Sequence, residues 1–153
     1  MTVETGSGGV VGRLRGITLG LLGVLVLGGL AGGLALLTDP TGGRLGLTVE
    51  RLPGWLLIGD YLLPGIALIV LFGVFPLVAA VQLARRRARG WTLTMAVGLL
   101  LVFWTLGQVA AIGLPFPEVQ VGFLIVGMLL VGLGVDGEAS VGAADEPRAL
   151  ARS

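Results

Sequence analysis

Arg85-Arg86-Arg87-Ala88-Arg89 stands between two long apolar runs, one ending at Ala84 and the other starting at Trp91. Each run is long enough to cross a bilayer as a helix, which takes about 20 residues. Four arginines in so short a connection are costly in hydrocarbon and resist translocation, so the turn is expected on the cytoplasmic side. Every other segment takes its orientation from that turn.

Two further runs satisfy the same length criterion, and they predict an all-α fold: a bundle of four transmembrane helices near 17–37, 61–84, 91–113 and 119–135. Arg13 and Arg15 precede the first run and join Arg85, Arg86, Arg87 and Arg89 as topogenic residues, placing both termini inside. A cleaved signal peptide also begins with basic residues, but its apolar core spans about 7–15 residues, so the reading is a retained helix. Residues 1–12 are expected to be a disordered lead-in and 136–153, acidic and aperiodic, a disordered cytoplasmic tail. The long connection, 38–60, is expected to be a structured extracytoplasmic loop. Asp39-Pro40-Thr41-Gly42-Gly43 is turn chemistry, Leu45, Leu47 and Val49 alternate weakly, and Trp55 marks an interfacial segment. Asp60 is placed to cap the second helix, and Pro76 should kink it.

Composition supports a membrane chain, since charged residues are only 12% of the sequence against about 25% in soluble domains. All ten basic residues are arginine, and Gly, Ala, Val and Leu dominate, as in a GC-rich bacterial genome; a bacterial inner membrane is the expected location. Histidine, cysteine and asparagine are absent. The chain therefore has no Ser-His-Asp triad, thiol chemistry, His-based zinc or haem ligation, or glycosylation sequon. No cofactor, metal or catalytic constellation is expected, and the net charge of +1, with its arginines beside membrane segments, gives no reason to expect a nucleic-acid partner.

Three features have a specific and a bland reading. Gly132 to Gly137 fits G-x-G-x-x-G, but a dinucleotide loop needs a strand before it and a helix after it, so the match is read as chance. Gly28/Gly32 and Gly29/Gly33 form overlapping G-x-x-x-G pairs, a face for close helix approach within the chain or to a membrane partner or second copy. The arginine turn suits anionic headgroups or topogenesis, and the topogenic reading leads. Gln108 lies about 26 Å along the third helix from Trp91, towards the outer leaflet. Trp104, Asp60, Tyr61, Glu118 and Gln120 fall near the same level. These six residues are the candidate lining of an outward-facing pocket, against the alternative that they make packing hydrogen bonds and an aromatic belt.

Between about residues 52 and 135 the chain resembles small bacterial four-helix integral membrane proteins that have no assigned activity. The resemblance is carried by Tyr61, Pro64 and Gly65 at the second helix, the basic turn 85–89, Trp104 and Gln108 before Ile112-Gly113, and Gln120. It implies architecture and no reaction. The first functional expectation is a non-enzymatic accessory or packing module, or a binder of a small apolar ligand or lipid at the outer face. The second is an oligomeric small transporter or channel component.

Overall fold

The computed structural model describes residues 7–52, 54, 59–114 and 116–150. The expected segment around Trp55, at 53 and 55–58, and the chain ends at 1–6 and 151–153 lie outside the described residues. The fold is all-helical, with four helices long and apolar enough to cross a membrane. They are α1 (Ser7–Thr38), α2 (Leu62–Ala84), α3 (Arg89–Ile112) and α4 (Pro117–Leu150). Successive helices run antiparallel. Gly29 faces Phe72 and Gly33 faces Gly65 across α1–α2, while Gly98 faces Gly127 and Gly137 faces Trp91 across α3–α4. The start of α1 and the end of α4 therefore lie at the same end as the arginine turn.

The buried stripe of α1 is Thr18, Leu22, Leu25, Gly29, Gly33 and Leu36, at the three- and four-residue spacings of one helix face. Phe72, Ala79 and Leu83 of α2, Trp91, Val97 and Leu101 of α3, and Leu130 of α4 complete the core. The outer faces carry large apolar side chains, with Leu27 and Phe103 each 69% exposed. A water-soluble bundle would bury such residues; in lipid this surface is the solvated one. Buried Thr18, Thr94 and Thr105 each donate to the carbonyl four residues earlier, at 2.8 Å, so each of these three hydroxyls has an acceptor.

Glycine sets the helix separations. A Cβ on Gly29 would lie 2.5 Å from the Phe72 carbonyl oxygen, and one on Gly33 would lie 2.8 Å from that of Gly65. The second of the two expected glycine faces is different: Gly28 meets nothing within 4 Å, and Gly32 meets only Leu68, at 3.6 Å. Gly29 and Gly33 thus serve α2 of the same chain and leave no room there for another chain. Across α3–α4, Gly98 and Gly127 face each other, with Cβ-to-oxygen distances of 2.6 and 3.0 Å.

Pro76 produces a local widening of α2. Ile69–Val74 is a π-helical turn in which the Phe75 N–H donates to the Val70 carbonyl, five residues back. Proline clashes with the carbonyl four residues earlier and offers it no N–H; here that carbonyl is Phe72's. The wider turn relieves the clash, and the Phe72 carbonyl meets the bare Cα of Gly29, a weak C–H donor.

Two boundaries differ from the sequence expectation. Residues 7–12 are helical, extending α1 rather than leading into it. The fourth helix does not stop near 135 before a disordered tail; it continues to Leu150. Gly137 is packed under Trp91, Val141 rests on the core, and Thr92 donates to the Glu138 carboxylate. Those contacts carry the helix past the last strongly apolar residues, and each further turn then needs only propagation.

Candidate functional site

The loop end of the bundle is built around Tyr61, which is 3% exposed. Its N–H donates to the Pro40 carbonyl at 2.8 Å and its hydroxyl to the Thr48 carbonyl at 3.0 Å, tying both halves of the loop to the start of α2. Gly42, at φ 82°, lets the chain turn directly against the Tyr61 ring. Where Leu45, Leu47 and Val49 alternate weakly, 3₁₀ turns form at Gly43–Leu45, between the left-handed Gly42 and Gly46, and at Val49–Arg51, between the extended Thr48 and Leu52. Asp39 gathers the first turn: one carboxylate oxygen accepts from the Thr41 hydroxyl and N–H, the other from the Arg44 N–H. The Thr41 hydroxyl bond, then the Arg44 N–H bond, hold its pKa below the ordinary value of 3.8.

Asp60, Tyr61, Glu118 and Gln120 fall at this end and Gln108 a little further in, while Trp104 lies deeper, beside Phe72 about 16 Å along α2 from Tyr61; most of the six are engaged in holding the fold. Asp60 accepts from the Leu62 N–H at 3.0 Å, closing the first turn of α2. Trp104, half-buried, meets Phe72 edge to face, with ring centroids 5.6 Å apart and planes at 65°. Gln120, 5% exposed, donates through its amide to the Gly113 carbonyl at 3.1 Å, fastening α4 to the end of α3. Glu118 is exposed in the first turn of α4. Gln108 is half-buried, and continuing the register that sets Val102 beside Gly127 brings it level with Gln120. The bonds of Asp60 and Gln120 run to backbone and the ring contact of Trp104 to Phe72, so the six do not assemble as one polar lining. The feature left over is the side-chain oxygen of Gln120, buried without a hydrogen-bond partner.

At the opposite end, Arg85, Arg86, Arg87 and Arg89 are exposed around the α2–α3 turn. The Arg86 N–H bonds the Leu83 carbonyl and the Arg87 N–H bonds the Gln82 carbonyl, a Schellman closure with Arg86 in the left-handed position at φ 56°. Gly90 then allows α3 to start against Leu83, where a Cβ would lie 2.7 Å from the Leu83 Cα. Arg13 is exposed, whereas Arg15 is half-buried on the packed side of α1 with its Nε unpartnered. Gln82 is the residue whose role the sequence understated: its side-chain oxygen is buried and unpartnered one turn before Arg85. An amide one turn inside an arginine cluster was the available signal. The literal G-x-G-x-x-G match lies within α4, where Gly134 accommodates Met95 and Gly137 accommodates Trp91.

Comparison with family models, with curated proteins and with solved structures found no match to the chain. The likeness drawn between residues 52 and 135 therefore rests on its short motifs alone.

Proposed function

We propose that this protein is a non-enzymatic accessory module of a bacterial cytoplasmic membrane, with the arginine turn and both termini in the cytoplasm, acting by packing against a helix of another membrane protein. The orientation is supported by the concentration of arginine at one end of the bundle.

One observation carries the packing role: the first half of the outward face of α1 carries a row of glycines, before Leu27 and Leu34 return that face to bulky apolar side chains. Gly12, Gly16 and Gly20 repeat every four residues, Gly23 follows on the same face, and a Cβ at any of them would meet nothing within 4 Å. At about 3.6 residues per turn this face lies opposite Leu22, Leu25 and Gly29. Glycine inside a helix costs up to about 1 kcal/mol relative to alanine, and a small-residue row in lipid offers close backbone approach to a second helix. The engagement of Asp60, Tyr61, Trp104 and Gln120 in internal contacts supports the same reading over an outer ligand pocket.

A photocrosslinking side chain at Gly20 in native membranes should capture a stoichiometric adduct, and Gly16→Ile with Gly20→Ile should abolish co-purification while leaving helicity unchanged. A lone monodisperse species in mild detergent with no adduct would end the proposal. The second reading, a small ligand bound at the loop end, is favoured by the unpartnered oxygen of Gln120. It requires the wild-type protein to retain a ligand that Gln120→Leu loses while helicity stays unchanged.

A further inference from the structure

The arginine end of α2 carries a second surface that the packing role does not use. Leu77, Val78, Val81, Gln82 and Arg85 line an open groove of about 240 Å3. Their spacing puts them on one face of the helix, with the apolar members towards the bilayer and Arg85 at the turn. The volume is below the ~300–1,000 Å3 of enclosed ligand pockets, and the groove opens along the helix, a shape that suits a length of acyl chain.

We propose that this groove binds one anionic glycerophospholipid, with the acyl chain along Leu77, Val78 and Val81 and the phosphate on the Arg85 guanidinium. Three observations converge on that occupant. Leu77, Val78 and Val81 are exposed, so their natural neighbour in a membrane is lipid chain. Arg85 is exposed beside Arg86 and Arg87, and among the described residues none of the three is paired with a carboxylate. Guanidinium recognises phosphate through two parallel N–H bonds, and juxtamembrane arginines favour anionic headgroups. Gln82 lines the groove between chain and charge, an amide placed to hydrogen-bond a lipid head group. Phosphatidylglycerol supplies all three: an acyl chain, a phosphate and hydroxyl donors. The turn holds the site in place, because the Gln82 carbonyl is fixed by the Arg87 N–H.

The inference requires the chain to reside in a membrane but not that α1 binds a partner. Native mass spectrometry of the detergent-solubilised protein tests it, with phosphatidylglycerol, phosphatidylcholine of the same chains, and soluble glycerol 3-phosphate added in separate arms. One retained phosphatidylglycerol, at least fivefold preferred over phosphatidylcholine and with no retained glycerol 3-phosphate, is the expected result. Arg85→Gln should lower retention about fivefold, the equivalent of the ~1 kcal/mol of one arginine near an anionic surface. Val78→Trp, which fills the groove without touching charge, should do the same, while Arg89→Gln on α3 should not. Equal retention of the two lipids by the wild-type protein overturns the proposal with no variant needed. Equal losses for Arg85→Gln and Arg89→Gln overturn it in favour of a diffuse charge effect. If Arg85→Gln loses helicity, Val78→Trp decides the outcome: unchanged retention there means the groove is not the site.

Discussion

Gly28 and Gly29 are neighbours in one helix, yet alanine should have opposite effects at the two positions. At Gly29 the added Cβ would lie 2.5 Å from the Phe72 oxygen and 2.8 Å from the Gly73 nitrogen, where ordinary contact begins at 3.4 Å. The shortfall to the oxygen is 3.4 − 2.5, about 0.9 Å, and the obstructing atoms are backbone that no rotamer change can move. The helices must part by about that distance, which also opens the Gly33–Gly65 contact one turn on; overpacking of this kind costs about 1–3 kcal/mol. At Gly28 nothing lies within 4 Å, so alanine contributes only its backbone preference, about 0.5–1 kcal/mol of stabilisation. That preference is common to both substitutions and cancels in their difference, leaving the packing penalty of about 1–3 kcal/mol. Reversible unfolding in mixed micelles, followed by far-UV circular dichroism, measures it. Stabilities within 0.5 kcal/mol of each other would refute the close approach of α1 to the Phe72 carbonyl. Pro76 provides a further check, since Pro76→Ala restores an N–H to that carbonyl and lets it withdraw into α2. Gly29→Ala should then cost less in the Pro76→Ala background than alone, a coupling of about 0.5–3 kcal/mol.

Arg86→Gly should stabilise the protein by about 1 kcal/mol in the same assay, because a non-glycine residue at φ 56° bears a steric cost that glycine avoids. Gly113→Ala should destabilise it by about 1–3 kcal/mol, since φ 76°, ψ −149° is a conformation essentially confined to glycine. Gln120→Leu should cost less than about 1.7 kcal/mol, the upper value for an interhelical side-chain bond in a membrane, whereas Gln120→Glu should cost more by burying an unpaired charge. Asp39 is depressed in the folded loop, so its contribution is present above pH 3.8 and is lost as pH falls through its lower folded value. Protection of the Thr41 and Arg44 amides, relative to their intrinsic exchange rates, should fall over that acid range, and Asp39→Asn should remove that dependence.

The four helices were legible because lipid imposes a minimum length on apolar runs, and the arginine turn and Pro115/Pro117 region divide those runs clearly. The helical extensions at 7–12 and 136–150 were not, because outside the hydrocarbon a helix needs no apolar periodicity once it has been nucleated. Nor could the sequence distinguish Gly29/Gly33 from Gly28/Gly32: both pairs have the same spacing, and the choice is made by the face of α1 against which α2 packs. The α3–α4 contact has no sequence signature for a related reason, since Gly98 and Gly127 belong to different helices and form no motif in either. At the loop end, sequence grouped Asp60, Tyr61, Trp104, Gln108, Glu118 and Gln120 near one level, whereas Trp104 lies deeper in the bundle, against Phe72. Sequence could not show that Tyr61 bonds backward to Pro40 and Thr48, because bonds to backbone carbonyls leave no trace in side-chain identity.

The distribution of glycine contacts also gives the bundle a grain. Among the described residues, every interhelical glycine approach closer than 3.4 Å falls on α1–α2, α2–α3 or α3–α4. The α4–α1 seam has none, and only these two helices run on through the last turns at the arginine end. Mechanically the protein is a book: two stiff leaves, α1–α2 and α3–α4, joined along a spine at α2–α3, with the fore-edge at α4–α1. Parting α1 from α2 breaks backbone-to-backbone contact along several turns, whereas parting α1 from α4 breaks only side-chain dispersion, the weakest cohesion available in lipid. A force that pries the bundle apart opens it along that edge first, and a lipid chain slipping into the core enters there.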